Sequence, residues 1–168
     1  MAPPRGTPAI ELVRRDGAGH AVREYAPPAR HGRDRDDRPD YGREAADALG
    51  VEPARVFKTL IATVDGRLVA AVVPVDRTLD LKALAAVAGG RRADLADPVT
   101  AERATGSVVG GISPLAPRRP LPVIVDVSAH DHGTILVSAG GRGLQLEIAP
   151  LDLVRLSNAE SARIARPG

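Results

Sequence analysis

The sequence predicts an α/β domain with a mixed sheet, and three observations carry that expectation. Helical and strand-like segments are interspersed along the 168 residues, which argues for helices packed on a sheet rather than for separate all-α and all-β parts. An Asp65-Gly66 turn joins two apolar runs and reads as a β-hairpin. A doubly wound parallel sheet has no place for such a hairpin, so the sheet is expected to be mixed. The length suits one core, and a single domain over 1–168 is expected, with a tail at 1–6, a charged loop insert at 26–40 and a frayed tail at 161–168.

Each element has a local reason. Thr7-Pro8 opens a short helix, Thr as N-cap and Pro at the first helical position, and Asp16-Gly17 closes it. Residues 21–25 read as a strand. Between 26 and 40 the character changes: 30–40 holds four Arg and four Asp and no aliphatic side chain, the pattern of a solvated, self-neutralising loop or of an RNA-touching arm. An Ala-rich helix at 42–49 stops at Gly50, and Pro53 to Arg55 turns the chain into a strand at 56–64. Residues 68–75 return as a nearly all-apolar strand buried on both faces, which places the sheet centre there. Helices follow at 80–88, stopped by Gly89-Gly90, and at 97–105. The stretch 106–114 is irregular and Gly-rich. Strands are expected at 121–127, 134–138 and 144–149, the last two as a hairpin, and a helix at 150–156.

Composition narrows the chemistry. With no Cys, disulfide scaffolds, thiolate metal sites and cysteine nucleophiles are excluded. The 23 basic and 21 acidic residues nearly cancel to +2, so any RNA contact has to be local. No apolar run reaches the ~18 residues of a membrane span, and the first residues lack the apolar stretch of a signal peptide, so a cytoplasmic protein without membrane contact is expected.

Lys58 and Lys82 are the only lysines, all other basic residues being arginine. Lys58 lies mid-strand, where alternate residues face a core. If it faces a cleft it needs an anion or carbonyls to offset desolvation, as a ligand carboxyl, phosphate or ester would provide; if it faces open solvent it carries nothing. The run from Val108 to Pro114 places Gly110 and Gly111 between apolar residues and Ser113-Pro114. Adjacent glycine N–H groups there can cradle a carbonyl oxygen gaining charge, and a tight turn explains the glycines as well. Ser113 lacks a G-x-S-x-G setting and a histidine at motif spacing, which argues against a serine hydrolase. His130-Asp131-His132 reads as a metal fragment or, better, as a surface turn with divergent side chains. Gly140-Gly141-Arg142-Gly143 offers backbone N–H groups and Arg142 to a phosphate, or is simply a hairpin turn.

The ordered set Thr7-Pro8-Ala9, Glu24-Tyr25, Tyr41-Gly42, Phe57-Lys58-Thr59-Leu60, Asp80-Leu81-Lys82, Ala96-Asp97, Thr105-Gly106, Gly110 to Pro114 and Glu147 to Pro150 resembles the YbaK family. These are free-standing aminoacyl-tRNA editing proteins related to the insertion domain of bacterial prolyl-tRNA synthetase. The likeness spans 7–159. It implies the YbaK/prolyl-tRNA synthetase-associated fold, a mixed curved β-sheet with flanking helices. Phe-Lys-Thr-Leu together with Gly-Gly-Ile-Ser-Pro is similar to the branch that hydrolyses Cys-tRNA(Pro).

By that resemblance Lys58 matches a functionally required lysine and Gly110 the glycine of the substrate loop, with Gly111 as its companion donor. Tyr25, Tyr41 at a position usually Phe, Thr59, Ile112 and Ser113 match substrate-binding positions. Gln145 stands where the family commonly has an acidic residue, and the insert at 26–40 is longer than usual. The implied reaction is ester cleavage by the substrate's own thiol, so neither a protein nucleophile, a cofactor nor a metal is called for. The implied partners are the acceptor end of mischarged tRNA(Pro) and prolyl-tRNA synthetase. Two other readings remain open: a deacylase of the same fold for Ala- or Ser-tRNA using water, and a non-catalytic tRNA- or synthetase-binding module.

Overall fold

A computed structural model describes residues 6–27 and 40–168. The expected tail is therefore outside the described residues except for Gly6, and so is 28–39 of the expected insert. Helix α1, Pro8–Asp16, begins as its sequence dictates: the Thr7 hydroxyl accepts from Ile10 N–H at 3.2 Å, and Gly17, at φ 82°, closes it by donating to Val13 C=O. Ala9, Ile10 and Val13 form its buried stripe. Strand β1, His20–Glu24, follows, then α2, Tyr41–Leu49, and a 3-10 turn at Pro53–Arg55.

The hairpin at Asp65-Gly66 forms as expected, pairing β2, Phe57–Val64, with β3, Arg67–Pro74. The short strand β4, Arg77–Leu79, leads to α3, Leu81–Val87, then β5, Ala93–Leu95, and α4, Pro98–Thr105. Beyond the Gly-rich loop lie β6, Val123–Asp126, then β7, Ile135–Gly141, β8, Leu144–Ile148, and α5, Pro150–Ser157. The chain ends in β9, Glu160–Ala162, and β10, Ala165–Pro167.

Five strands make the main sheet in the order β5-β2-β3-β6-β9, with β3 at its centre. It is mixed: β3 runs parallel to β6 and β6 to β9, while β2 is antiparallel to both neighbours. A second sheet orders β1-β8-β7, all antiparallel. The apolar run of β3 is explained by its position between two cores. Ala70 and Val72 join the cluster of Ile10, Phe57 and Val137, whereas Val69, Ala71 and Val73 join that of Leu84 and Ile164.

The expected fraying of 161–168 is overturned. Ile164 is fully buried at 0% exposure, and β10 pairs antiparallel with β4. The cause is Asp126, 1% exposed, whose carboxylate accepts from the N–H groups of Ile164 and Ala165 at 2.9 Å each. That carboxylate answers donors that would otherwise be buried without partners. The same hydrogen bonds, with Ser128, hold the Asp126 pKa below its usual value despite its burial.

Candidate active site

Alternation along β2 decides what each side chain can reach. Phe57 and Ile61 face the first core, Ala62 and Val64 the second, so Thr59 shares the side of Phe57 and Lys58 the opposite side. Lys58 is paired with Val73 of β3. It is half-buried and makes no hydrogen bond or ion pair among the described residues. Desolvation lowers its pKa, opposed by the nearby carboxylates of Asp40 and Asp76 and reinforced by Arg43.

The first turn of α2 is pressed onto this region. A Cβ on Gly42 would lie 2.2 Å from Val75 Cγ1, so only glycine permits the approach. Asp40 caps the helix, its carboxylate accepting from Arg43 N–H at 3.1 Å. This end of α2, whose first residue is Tyr41, therefore lies beside Lys58.

Around Tyr41 four segments interlock. Gly110, at φ 91°, lies against the tyrosine ring so closely that a Cβ would come 2.7 Å from its carbons. Gly111 meets the backbone of Gly141 and Arg142, where a Cβ would approach to 2.9 Å. Gly143 packs under the carbonyl of Tyr25, and Tyr25 N–H donates to Gly143 C=O at 3.0 Å. The Arg142 guanidinium covers the Tyr41 ring at 4.7 Å from its centroid and stands 3.7 Å from Glu44. Burial raises the Tyr25 pKa, with Glu44 also raising it and Arg142 opposing. The glycines of both loops thus serve close approach, not turn geometry alone.

The structure brings Tyr25, Tyr41, Gly110 and Gly111 together and carries Lys58 to the same helix end. Gly111 N–H closes a turn onto Val108 C=O at 2.9 Å, so its donor is already engaged, while Gly110 N–H has no partner among the described residues. Ile112 is turned into the first core. Ser113, 7% exposed, accepts from Leu115 N–H at 3.2 Å and lines a cleft of about 380 Å³ with Thr105, Arg118 and Gly140.

Thr59 and Gln145 have a different signature. Their buried oxygens, Thr59 Oγ1 and Gln145 Oε1, lack hydrogen-bond partners, as does Arg142 Nη2. Such orphans are rare and mark places where a ligand or water completes the bonding. Reasoning from sequence placed Arg142 beside a possible phosphate but left it and Glu44 out of the site; the arginine flanked by glycines was the available signal. His130 lies in a 3-10 turn and contacts Ser161 Oγ at 2.8 Å. Among the described residues no group of three His, Asp or Glu side chains gathers as a metal site. No helix there is long and apolar enough to cross a membrane.

Comparisons with known proteins show the family and the fold. The aminoacyl-tRNA editing domain family matches residues 39–156. EbsC of Enterococcus faecalis, assigned as a Cys-tRNA(Pro)/Cys-tRNA(Cys) deacylase, is 38% identical over 121 residues, 71% of this chain and 73% of its own. A proline–tRNA ligase of Desulforamulus reducens is 40% identical over 72 residues, 43% of this chain but only 13% of the ligase. A crystal structure assigned as a trans-editing enzyme for prolyl-tRNA synthetase shares the fold, with TM-score 0.77 and 22% identity over 96% of this chain and 99% of that one. With the family model covering most of the sequence and a relative 38% identical over 73% of its own length, the chain belongs to the aminoacyl-tRNA editing domain family.

Proposed function

We propose that the protein deacylates Cys-tRNA(Pro) in trans, the thiol of the cysteinyl group serving as nucleophile. The observation that supports the mechanism is that, among the described residues, the cluster holds no activated side-chain nucleophile. The chain has no Cys, the Ser113 hydroxyl is buried behind the loop as an acceptor, and His20 and His130 bond to Ala18 C=O and Ser161 away from Tyr41.

The substrate supplies what the cluster lacks. Its sulfur attacks the ester carbonyl, a C–S bond forms, and the C–O bond to the terminal ribose breaks. The thiol proton ends on the ribose hydroxyl, releasing tRNA and a four-membered thiolactone that water opens to cysteine. The protein's part is to fold the aminoacyl group into a reactive conformer and stabilise the oxyanion. Gly110 N–H is the open donor for that oxygen. Lys58 holds the ribose or phosphate, an anion or oxygen partner giving its unbonded, partly desolvated ammonium the hydrogen bonds it lacks. Thr59 Oγ1 and Gln145 Oε1 take hydrogen bonds from the aminoacyl-ribose moiety.

Discrimination then lies in chemistry more than in pocket affinity, because alanyl and prolyl esters carry no thiol. The near-neutral charge of +2 supports recruitment of the tRNA from a complex with prolyl-tRNA synthetase in the cytoplasm. The test is the deacylation rate of Cys-, Ala- and Ser-tRNA(Pro) by the purified protein, with association followed by pull-down of the synthetase and tRNA. Cysteine-selective turnover supports the reading. Equal turnover of Ala or Ser esters contradicts it, and absence of a ternary complex removes the synthetase.

A further inference from the structure

We propose that Arg142 holds a phosphate of the substrate, namely the phosphodiester on the 5′ side of the aminoacylated terminal nucleotide. The proposal rests on the aminoacyl-tRNA reading above and gives a task to a side chain that the reading leaves idle.

The guanidinium of Arg142 is oriented but not bonded. It lies over the Tyr41 ring, 4.7 Å from the centroid, an arrangement favourable to a planar cation. Its side chain retains 31% exposure. Nη2 is sealed from solvent and has no hydrogen bond, and its 3.7 Å separation from Glu44 Oε2 is an ion-pair distance too long for one. Among the described residues the fork as a whole makes no hydrogen bond. Three other part-buried or bidentate arginines are spoken for: Arg155 grips Asp16 through both nitrogens at 2.8 and 2.9 Å, Arg55 bonds Thr134, and Arg23 bonds Glu147. An arginine stacked in place with its five donors unspent is prepared for an external acceptor.

The backbone beneath it is equally fixed. Arg142 N and Gly141 C leave only 2.9 Å for a Cβ on Gly111, which locks the hairpin turn to the loop carrying the free Gly110 N–H. The cation therefore has a set position relative to the proposed oxyanion donor. In the substrate the ester is neutral and the α-amino group cationic, so the anion closest to the scissile bond is the phosphodiester of the same nucleotide. The exposed donors of a planar, weakly hydrated guanidinium suit a phosphate oxygen, whereas the single ammonium of Lys58 suits a ribose oxygen. Glu44 then anchors the buried edge while the exposed remainder of the side chain meets the phosphate.

The experiment compares wild type, Arg142→Ala and Arg142→Lys on cysteinyl-tRNA(Pro) and on 2′(3′)-O-cysteinyladenosine, which keeps ester and ribose but has no phosphate. Binding of an uncharged CCA-ended oligonucleotide is measured across salt concentrations, and thermal unfolding checks each fold. For Arg142→Ala the KM for the tRNA rises about tenfold or more with kcat little changed, the loss expected for a hydrogen bond to a charged group. Turnover of cysteinyladenosine stays within about twofold, and the slope of log affinity against log salt becomes shallower by about 0.7, one phosphate contact on a single strand. Arg142→Lys restores the salt slope without restoring the full affinity, and decides the matter should the alanine variant not fold. Equal losses on both substrates, or unchanged KM and salt slope, overturn the proposal. A wild type that leaves cysteinyl-tRNA intact defeats the deacylation reading instead, and the oligonucleotide arm still decides Arg142: a weakened, shallower binding supports it and unchanged binding overturns it.

Discussion

Replacing Gly110 by alanine tests whether the loop is built by close approach to Tyr41. The new Cβ would lie 2.7, 2.7 and 2.8 Å from three ring carbons, and the residue sits at φ 91°. A left-handed backbone costs an L-residue roughly 1–2 kcal/mol, and forcing a methyl into a packed contact adds roughly 1–3 kcal/mol. The ring has little room to retreat, because Arg142 covers it. The sum, roughly 2–5 kcal/mol, corresponds at about 2–4 °C per kcal/mol to a Tm fall of about 4–20 °C for a chain of this size. Should the loop shift off the ring instead, the fall in Tm is smaller and deacylation is lost with the displaced Gly110 N–H. Gly133→Ala is the control, since a Cβ there meets nothing within 4 Å. Scanning calorimetry and single-turnover deacylation of both variants read the two effects. A Gly110→Ala protein within 1–2 °C of the control and with turnover within about twofold of wild type would refute the reasoning.

Other consequences are checked separately. Lys58→Ala loses most deacylation while its far-UV circular dichroism and Tm stay near wild type; full activity in the folded variant contradicts the role given to the lysine. The lowered pKa of Lys58 means that the unfolded chain binds more protons between that value and 10.5, so this residue makes stability rise with pH across that window. Comparing wild type and Lys58→Met by denaturant titration at alkaline pH isolates that slope, and identical slopes contradict the desolvated placement. Asp126→Ala leaves the N–H groups of Ile164 and Ala165 unsatisfied, at about 1–3 kcal/mol each; urea unfolding that shows no loss of stability rules out the strapping role. Because the folded pKa of Asp126 is depressed below 3.8, its contribution is present above that pH and lost as pH falls through the folded value. The acid unfolding curve of the variant therefore has a weaker pH dependence than that of wild type.

Much of the fold was legible because its signals are local. Caps and stops at Thr7, Gly17 and Gly50 and the Asp65-Gly66 turn each specify their own neighbourhood. The missed strands β4, β5, β9 and β10 have only three residues each. Their identity comes from partners far along the chain, as Ala165 to Pro167 pair with Leu79 to Arg77, and no periodicity of three residues reports that. The C-terminal segment reads as polar and frayed because the group that orders it, Asp126, lies 38 residues away from Ile164.

The site divides along the same line. Motif and residue type singled out Lys58, Gly110, Gly111, Tyr25 and Tyr41, and the fold brings the glycines to the two tyrosines or their hairpin. Alternation alone says that Lys58 and Thr59 face opposite sides of β2, but not that the first turn of α2 lies beside the lysine. That Ile112 is core and that Ser113 caps a turn follows only from the path of the loop. Part of the recognised pattern is architectural: Glu147 binds Arg23 and Thr134 at 2.8 Å, which hold its pKa down, and helps tie the small sheet to the turn before β7. Arg142 was visible only as an arginine among glycines. Its stack on Tyr41 joins residues 101 positions apart, the distance between 41 and 142.

The central claim is that the substrate's thiol does the chemistry on a surface that supplies position and charge. The most direct measurement is the deacylation rate of Cys-tRNA(Pro) beside its S-methylcysteinyl counterpart, with Ala-tRNA(Pro) and the Lys58→Ala variant in the same experiment. Fast, lysine-dependent release from the cysteinyl ester, with the S-methyl and alanyl esters intact, is the predicted result. Release of S-methylcysteine at a rate comparable to cysteine would contradict the account and place water, activated by the protein, in the role of nucleophile.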